Sequence, residues 1–366
     1  MTSAPVGGQV APRFRALRAA FAELFASGAE TGAALAVISA DGEPLADLYG
    51  GWRDAARTTP WAPDTLVHVF SAGKAVIAAG LVHLVDRGRL GLDDPVAKHW
   101  PGFAAPATVR HVLAHAAGLP AFPAPLPVGA AGDWHRLVAD LASAEPEFAP
   151  GTAVAEHAMT YGHLVGELIR RVDGRMPGEY LRAELGAPWG LDLALGATPA
   201  ERARTAELEY ADPSWPAATA GEPGSYRSRV LDNPAGWLAL DVVNSGSWRG
   251  AQVPAVNLHT TALSLARFYA GLLAGGALGG TRLFSPDAAR DIARPHATGD
   301  DLLLGRPVAW GLGVQVDATG EWGMGGIGGC DAFASGARGY AYAFVTRRLG
   351  GFERSERLIE ALEASL

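Results

Sequence analysis

Ser71 and Lys74 stand three residues apart in VHVFSAGKAVIAAGLVHLVDRG, Val67 to Gly88. Lys74 to Val85 reads as a helix, with Val76, Ile77, Leu81, Leu84 and Val85 spaced for one buried stripe and Gly88 as its C-cap. Side chains three apart share a helix face, so the Ser71 hydroxyl and the Lys74 amine can meet. An amine beside a hydroxyl can take its proton and turn it into a nucleophile. Free N–H groups at the helix start can meet a developing oxyanion. The competing reading makes Ser71 a simple N-cap.

Bulk composition narrows the partners. The chain has 366 residues, 49% hydrophobic and 19% charged, enough for one large core or two lobes. Its net charge of −8 and lack of a basic block argue against nucleic acid and anionic membranes. The partner expected is a small-molecule substrate, and the sequence leaves the oligomeric state open. Cys330 is the single cysteine, so no internal disulfide can form, and it reads as a buried thiol. No secretory h-region and no membrane-spanning run are visible, so a cytoplasmic location is expected. The histidines are scattered without metal-ligand spacing, so neither metal nor cofactor is expected. Ten tryptophans suggest an aromatic-lined cleft.

The elements that must position the pair read as follows. Pro12 to Ser27 is an amphipathic helix. Gly32 to Ser39 and Pro44 to Tyr49 form a hairpin across the Asp41-Gly42 turn. Asp133 to Ser143, Thr160 to Asp173 and Leu263 to Leu273 are further helices. Arg204 to Ser247, rich in Pro, Gly and Trp, reads as a long loop at the cleft rim, with Trp215, Trp237 and Trp248 either anchoring it or touching ligand. Ala309 to Val316, Glu321 to Gly325 and Gly339 to Arg347 read as strands, and Phe352 to Leu366 as a last helix.

Several ordered segments resemble one family. They are Gly50 to Asp54 (GGWRD), Pro60 to Thr65 (PWAPDT), Ser71 to Lys74, Gly88 to Val96, Trp100-Pro101 and Arg110 to Pro120 (RHVLAHAAGLP). The chain resembles the serine β-lactamases and penicillin-recognising proteins, closest to the class C-related esterases and transacylases, from about residue 30 onward. The resemblance implies an α/β (α+β) fold of the β-lactamase/transpeptidase type, an antiparallel sheet flanked by helices. Residues 1–75 and 250–366 would form the sheet domain, and 76–249 an inserted, mainly helical domain, with the active-site cleft between them.

Two family motifs are altered. The second usually carries a tyrosine after Pro-Gly. Here PGTAVAEHAMTYG runs without a gap and puts Glu156 in the tyrosine's place. The third usually carries a lysine or histidine, and in EWGMGGIGGCD that place is taken by Met324. A carboxylate facing Lys74 favours the ammonium, while burial opposes it. Glu156 is then either a proton acceptor or a salt-bridge partner. Ser71, Lys74 and Glu156 are the expected catalytic residues. Trp322, Met324, Gly325, Gly326 and Ile327 are expected to line the substrate site, with an N–H near Ile327 completing an oxyanion hole. His157 and His259 are further substrate-site candidates, His157 with an alternative structural role. His111, His115 and Tyr161 are expected to pack beneath the site.

The implied activity is acyl chemistry through an acyl-Ser71 intermediate, as an esterase or acyltransferase. The missing cation of the third motif argues against broad β-lactamase action. A second possibility is acid–base catalysis of a cyclisation, isomerisation or elimination by Glu156 and Lys74. A third is a non-catalytic binding protein on the same fold.

Overall fold

The computed structural model describes residues 5–366. Strands from the two ends of the chain build one antiparallel sheet. The N-terminal part supplies β1 (Val6–Val10), β2 (Gly32–Ser39) and β3 (Pro44–Gly51). The C-terminal part supplies β4 (Ala297–Asp301), β5 (Arg306–Trp310), β6 (Gln315–Val316), β7 (Glu321–Gly326), β8 (Cys330–Ser335) and β9 (Tyr340–Thr346). Their order is β1-β3-β2-β9-β8-β7-β6-β5-β4. The ends meet where β2 pairs with β9, from Ala33 opposite Thr346 to Ser39 opposite Tyr340.

β2 reads GAALAVIS, apolar at nearly every position, because both faces are covered. Ala33, Leu35 and Val37 pack with Phe14, Leu17 and Phe21 of the N-terminal segment and Leu358 and Leu362 of the last helix. Ala34, Ala36 and Ile38 face the main core on the other side. The N-terminal helix α1 is Arg15–Ala26, preceded by a 3-10 turn at Pro12–Phe14. Leu17, Phe21 and Leu24 recur at helical spacing and are its buried residues.

Helix α2 (Lys74–Asp86) is buried all round from Lys74 to Leu84, where the sequence suggested a single stripe. A helix in the middle of a large core has no solvent face to pattern. It packs against α3 (Tyr161–Asp173), while α4 (Ala262–Leu273) lies on β9 and β2. Gly88 adopts a left-handed conformation (φ +68°) and closes the turn after α2, as expected of a C-terminal glycine. The last helix, α5, is Glu353–Glu363.

Two expectations are corrected. Ala309 to Val316 is two strands, because Gly311 to Val314 forms a tight turn with Gly313 at φ +81°. Arg204 to Ser247 contains short helices at Trp215–Ala220, Tyr226–Leu231 and Leu240–Val243. The Ser225 side chain caps the second of them by accepting from the Ser228 N–H. No described helix is long and apolar enough to cross a membrane.

Candidate active site

Ser71 lies in a 3-10 turn, Phe70–Gly73, that runs directly into α2. It caps nothing; Lys74 Nζ donates to Ser71 Oγ at 2.6 Å. The same Nζ lies 3.3 Å from Glu156 Oε1. Lys74 is fully buried, while Ser71 and Glu156 keep 6% and 8% exposure and line a cleft of about 960 Å³. Burial lowers the pKa of Lys74 from its ordinary 10.5, and the Glu156 carboxylate pushes it back only in part. The amine that touches the hydroxyl therefore parts with its proton more readily than a free lysine.

Backbone strain brackets both ends of this trio. Phe70, just before Ser71, sits at φ +51°, a left-handed conformation rare for a bulky residue. Its ring is held by His68 at 4.1 Å and by Trp237 at 6.1 Å between centroids. His115 sits at φ +57° and grips both neighbours of Glu156. Its carbonyl accepts from the Ala155 N–H at 3.1 Å, and its Nδ1 accepts from the His157 N–H at 3.0 Å. The His115 ring is clamped between Tyr161 at 4.3 Å and Trp310 at 4.1 Å. Glu156 is thus aimed at Lys74 by a rigid backbone.

β7 forms the opposite wall. Gly326 is glycine for lack of room: a Cβ there would stand 2.3 Å from the Val69 carbonyl oxygen. The strand consequently lies flush against the Ser71 turn. β6 pairs only with Trp322 and Gly323, so Met324 to Gly326 have no partner strand on that edge. Neither the Ser71 N–H nor the Ile327 N–H has a hydrogen-bond partner among the described residues. The hairpin of β4 and β5 makes the far wall with Leu303, Leu304 and Val308. Its tip is shaped by buried Asp301, which accepts from the Leu303 and Leu304 N–H groups and from Trp310 Nε1.

The expected site residues divide clearly. Ser71, Glu156, Trp322, Met324, Gly325 and Ile327 line the cleft, with Lys74 directly behind it and Gly326 against the Ser71 turn. His157 does not line it. Its Nε2 accepts from the Leu119 N–H at 3.1 Å and its Nδ1 faces the Ala155 carbonyl at 2.7 Å, so it fixes backbone. His259 is also corrected. It is fully buried, stacked on His68 at 5.2 Å, and pushed down to about 3 by burial. Trp237 and Trp248 stack at 5.4 Å beneath Phe70 and His68 and line no part of the cleft. Cys330 is buried as expected, its thiol pushed up to about 12 by desolvation.

Other contributors gave no signal in the sequence. Arg227, Asp331 and Phe352 also line the cleft. One signal was legible: of thirty basic residues only two are lysines, Lys74 and Lys98. A chain that otherwise uses arginine keeps a titratable amine at Lys74. Among the described residues, no group of three or more His, Cys, Asp or Glu side chains is placed to hold a metal ion.

A family model described as Beta-lactamase matches residues 17–365. Esterase/beta-lactamase LipL of Mycobacterium tuberculosis is 33% identical over 94% of this chain and 83% of its own length. A penicillin-binding protein homologue from Caulobacter crescentus superposes with a TM-score of 0.86 at 36% identity, covering 99% of this chain and 100% of the other. A family VIII carboxylesterase superposes at 0.89 with 31% identity over 99% and 100%. The chain belongs to the Beta-lactamase family and is an enzyme of the serine-hydrolase type.

Proposed function

We propose that this protein is an esterase that works through an acyl-Ser71 intermediate. The observation that carries the reading is the 2.6 Å contact between buried Lys74 Nζ and cleft-lining Ser71 Oγ. Neutral Lys74 takes the hydroxyl proton as Oγ attacks the ester carbonyl. The Ser71 and Ile327 N–H groups receive the oxyanion. Lys74 then gives its proton to the departing alcohol, and water releases the acyl group by the same steps in reverse.

Glu156 has a tuning role. Its carboxylate raises the pKa of Lys74 against the effect of burial and holds Nζ toward Oγ. Met324, buried with Val308 and Trp310, offers no charge for a substrate carboxylate in the third-motif position. Leu231, Leu303, Leu304 and Val308 make one arm of the cleft apolar, which suits an ester with a hydrocarbon group.

Intact-mass spectrometry after mixing with p-nitrophenyl butyrate tests this. A butyryl adduct on Ser71, absent in Ser71→Ala, is the expected result. Unchanged turnover in Ser71→Ala would remove the reading and leave acid–base chemistry by Glu156 and Lys74.

A further inference from the structure

The cleft continues past Ser71. It rounds the unpaired edge of β7 at Gly325, from the face that Gly326 turns to the Ser71 turn to the opposite face, where Asp331, Phe333, Phe352 and Ile359 line it near the C-terminal helix. The register puts Phe333 opposite Gly323 and Asp331 opposite Gly325. Neighbours across a ladder project to one face, so two glycines on β7 leave two β8 side chains open to the cleft. A Cβ on residue 325 would stand 2.9 Å from the Phe352 ring and 3.9 Å from Asp331 Oδ1. Gly325 is therefore the aperture of this arm.

Asp331 Oδ2 accepts from Ser355 Oγ at 3.0 Å. Asp317 and Glu321 also line this arm. The arginines that line the cleft, Arg227 and Arg306, come from Tyr226–Leu231 and from β5. Phe352 is 39% exposed, one of only three large apolar side chains so exposed among the described residues. A carboxylate between aromatic rings is the chemistry that recognises an ammonium: the carboxylate supplies the charge, and ring faces attract a cation that water solvates poorly.

We propose that this arm binds an ammonium-bearing group at one end of the ester substrate, with Asp331 as the specificity-determining residue and Gly325 as the opening that admits it. The inference rests on the esterase reading for the identity of the substrate, while the binding of the cation is testable apart from it.

The test compares butyrylcholine with its uncharged isostere, 3,3-dimethylbutyl butyrate, as a ratio of kcat/KM. The wild type should favour the cationic ester roughly ten- to hundredfold. Asp331→Asn, which keeps an acceptor for Ser355, should bring the ratio near one. Phe352→Leu leaves the Asp331–Ser355 bond untouched and should lower the ratio several-fold. An equal ratio in wild type and Asp331→Asn overturns the proposal. Choline titrated calorimetrically into the Ser71→Ala protein should bind, and binding should weaken at least tenfold when Asp331→Asn is added. Binding that ignores Asp331, or none, also overturns it. Failure of both esters to react, with Asp331-dependent choline binding intact, would count against the acyl reading and support the arm.

Discussion

Two buried polar clusters flank the Ser71 turn, and they handle burial in opposite ways. On one side, Lys74 keeps a hydroxyl at 2.6 Å and a carboxylate at 3.3 Å. On the other, His68 and His259 stack at 5.2 Å, and none of their four ring nitrogens has a hydrogen-bond partner among the described residues. Burial lowers the pKa of Lys74 and of both histidines. Lys74 has a carboxylate at 3.3 Å to oppose the effect, whereas the Arg249 guanidinium adds to it at both histidines. The lysine remains a group whose proton can move, while the histidines act as flat neutral packing beneath Phe70. Residue type alone would choose the wrong base, since histidine is the usual one and here has no access to the cleft.

Removing the lysine should have the largest effect. Lys74→Met deletes the base and should lower kcat/KM by about 10³-fold. It also leaves Glu156 without its ion-pair partner, at about 3–5 kcal/mol of stability. Adding Glu156→Gln should restore much of that stability and none of the activity. Urea unfolding and steady-state kinetics on the two variants separate the effects.

Gly326→Ala comes next. The added methyl meets the Val69 carbonyl at 2.3 Å, so β7 must move away from the Ser71 turn. A loss of about 1–3 kcal/mol is expected, with a drop in kcat larger than the rise in KM. Gly246→Ala, whose Cβ would meet nothing within 4 Å, is the control.

Glu156→Gln alone sharpens the comparison. Lys74 acts when neutral, so activity rises with pH through its pKa. The Glu156 carboxylate raises that pKa, so its removal should move the rising limb of kcat/KM to lower pH. The plateau should fall by about tenfold through looser positioning. A plateau that collapses at every pH would make Glu156 the proton acceptor instead.

The histidine cluster should give the smallest effect, and a different one. His259 is pushed down to about 3 and His68 well below its ordinary 6.5, so they stay neutral in the fold while an unfolded chain takes up protons. Stability is therefore full above about pH 6.5 and falls as pH drops from there toward 4. His259→Phe should flatten that acid limb and change stability at pH 8 by about 1 kcal/mol or less. Thermal melts across pH 4–8 measure both.

Much of this was legible in the residues. The apolar run of β2, the glycine after α2, the Ser71–Lys74 spacing and the ungapped Glu156 all carried over to the structure. What stayed hidden was long-range or conformational. Nothing in the type of Phe70 or His115 announces a left-handed backbone. His259 and the tryptophans of 204–247 looked available for a ligand because polar and aromatic side chains serve cores and clefts alike. Asp331 and Phe352 entered the cleft only through the pairing of β7 with β8 and the approach of the last helix.

The central claim is that burial beside a carboxylate leaves Lys74 easier to deprotonate than a free lysine. With two lysines in the chain, carbon-13 labelling of lysine gives two side-chain signals, and Lys98→Arg identifies Lys74. The expected result is a Lys74 signal titrating below 10.5, and lower again in Glu156→Gln. A Lys74 signal titrating at or above 10.5, or moving upward in Glu156→Gln, would contradict it.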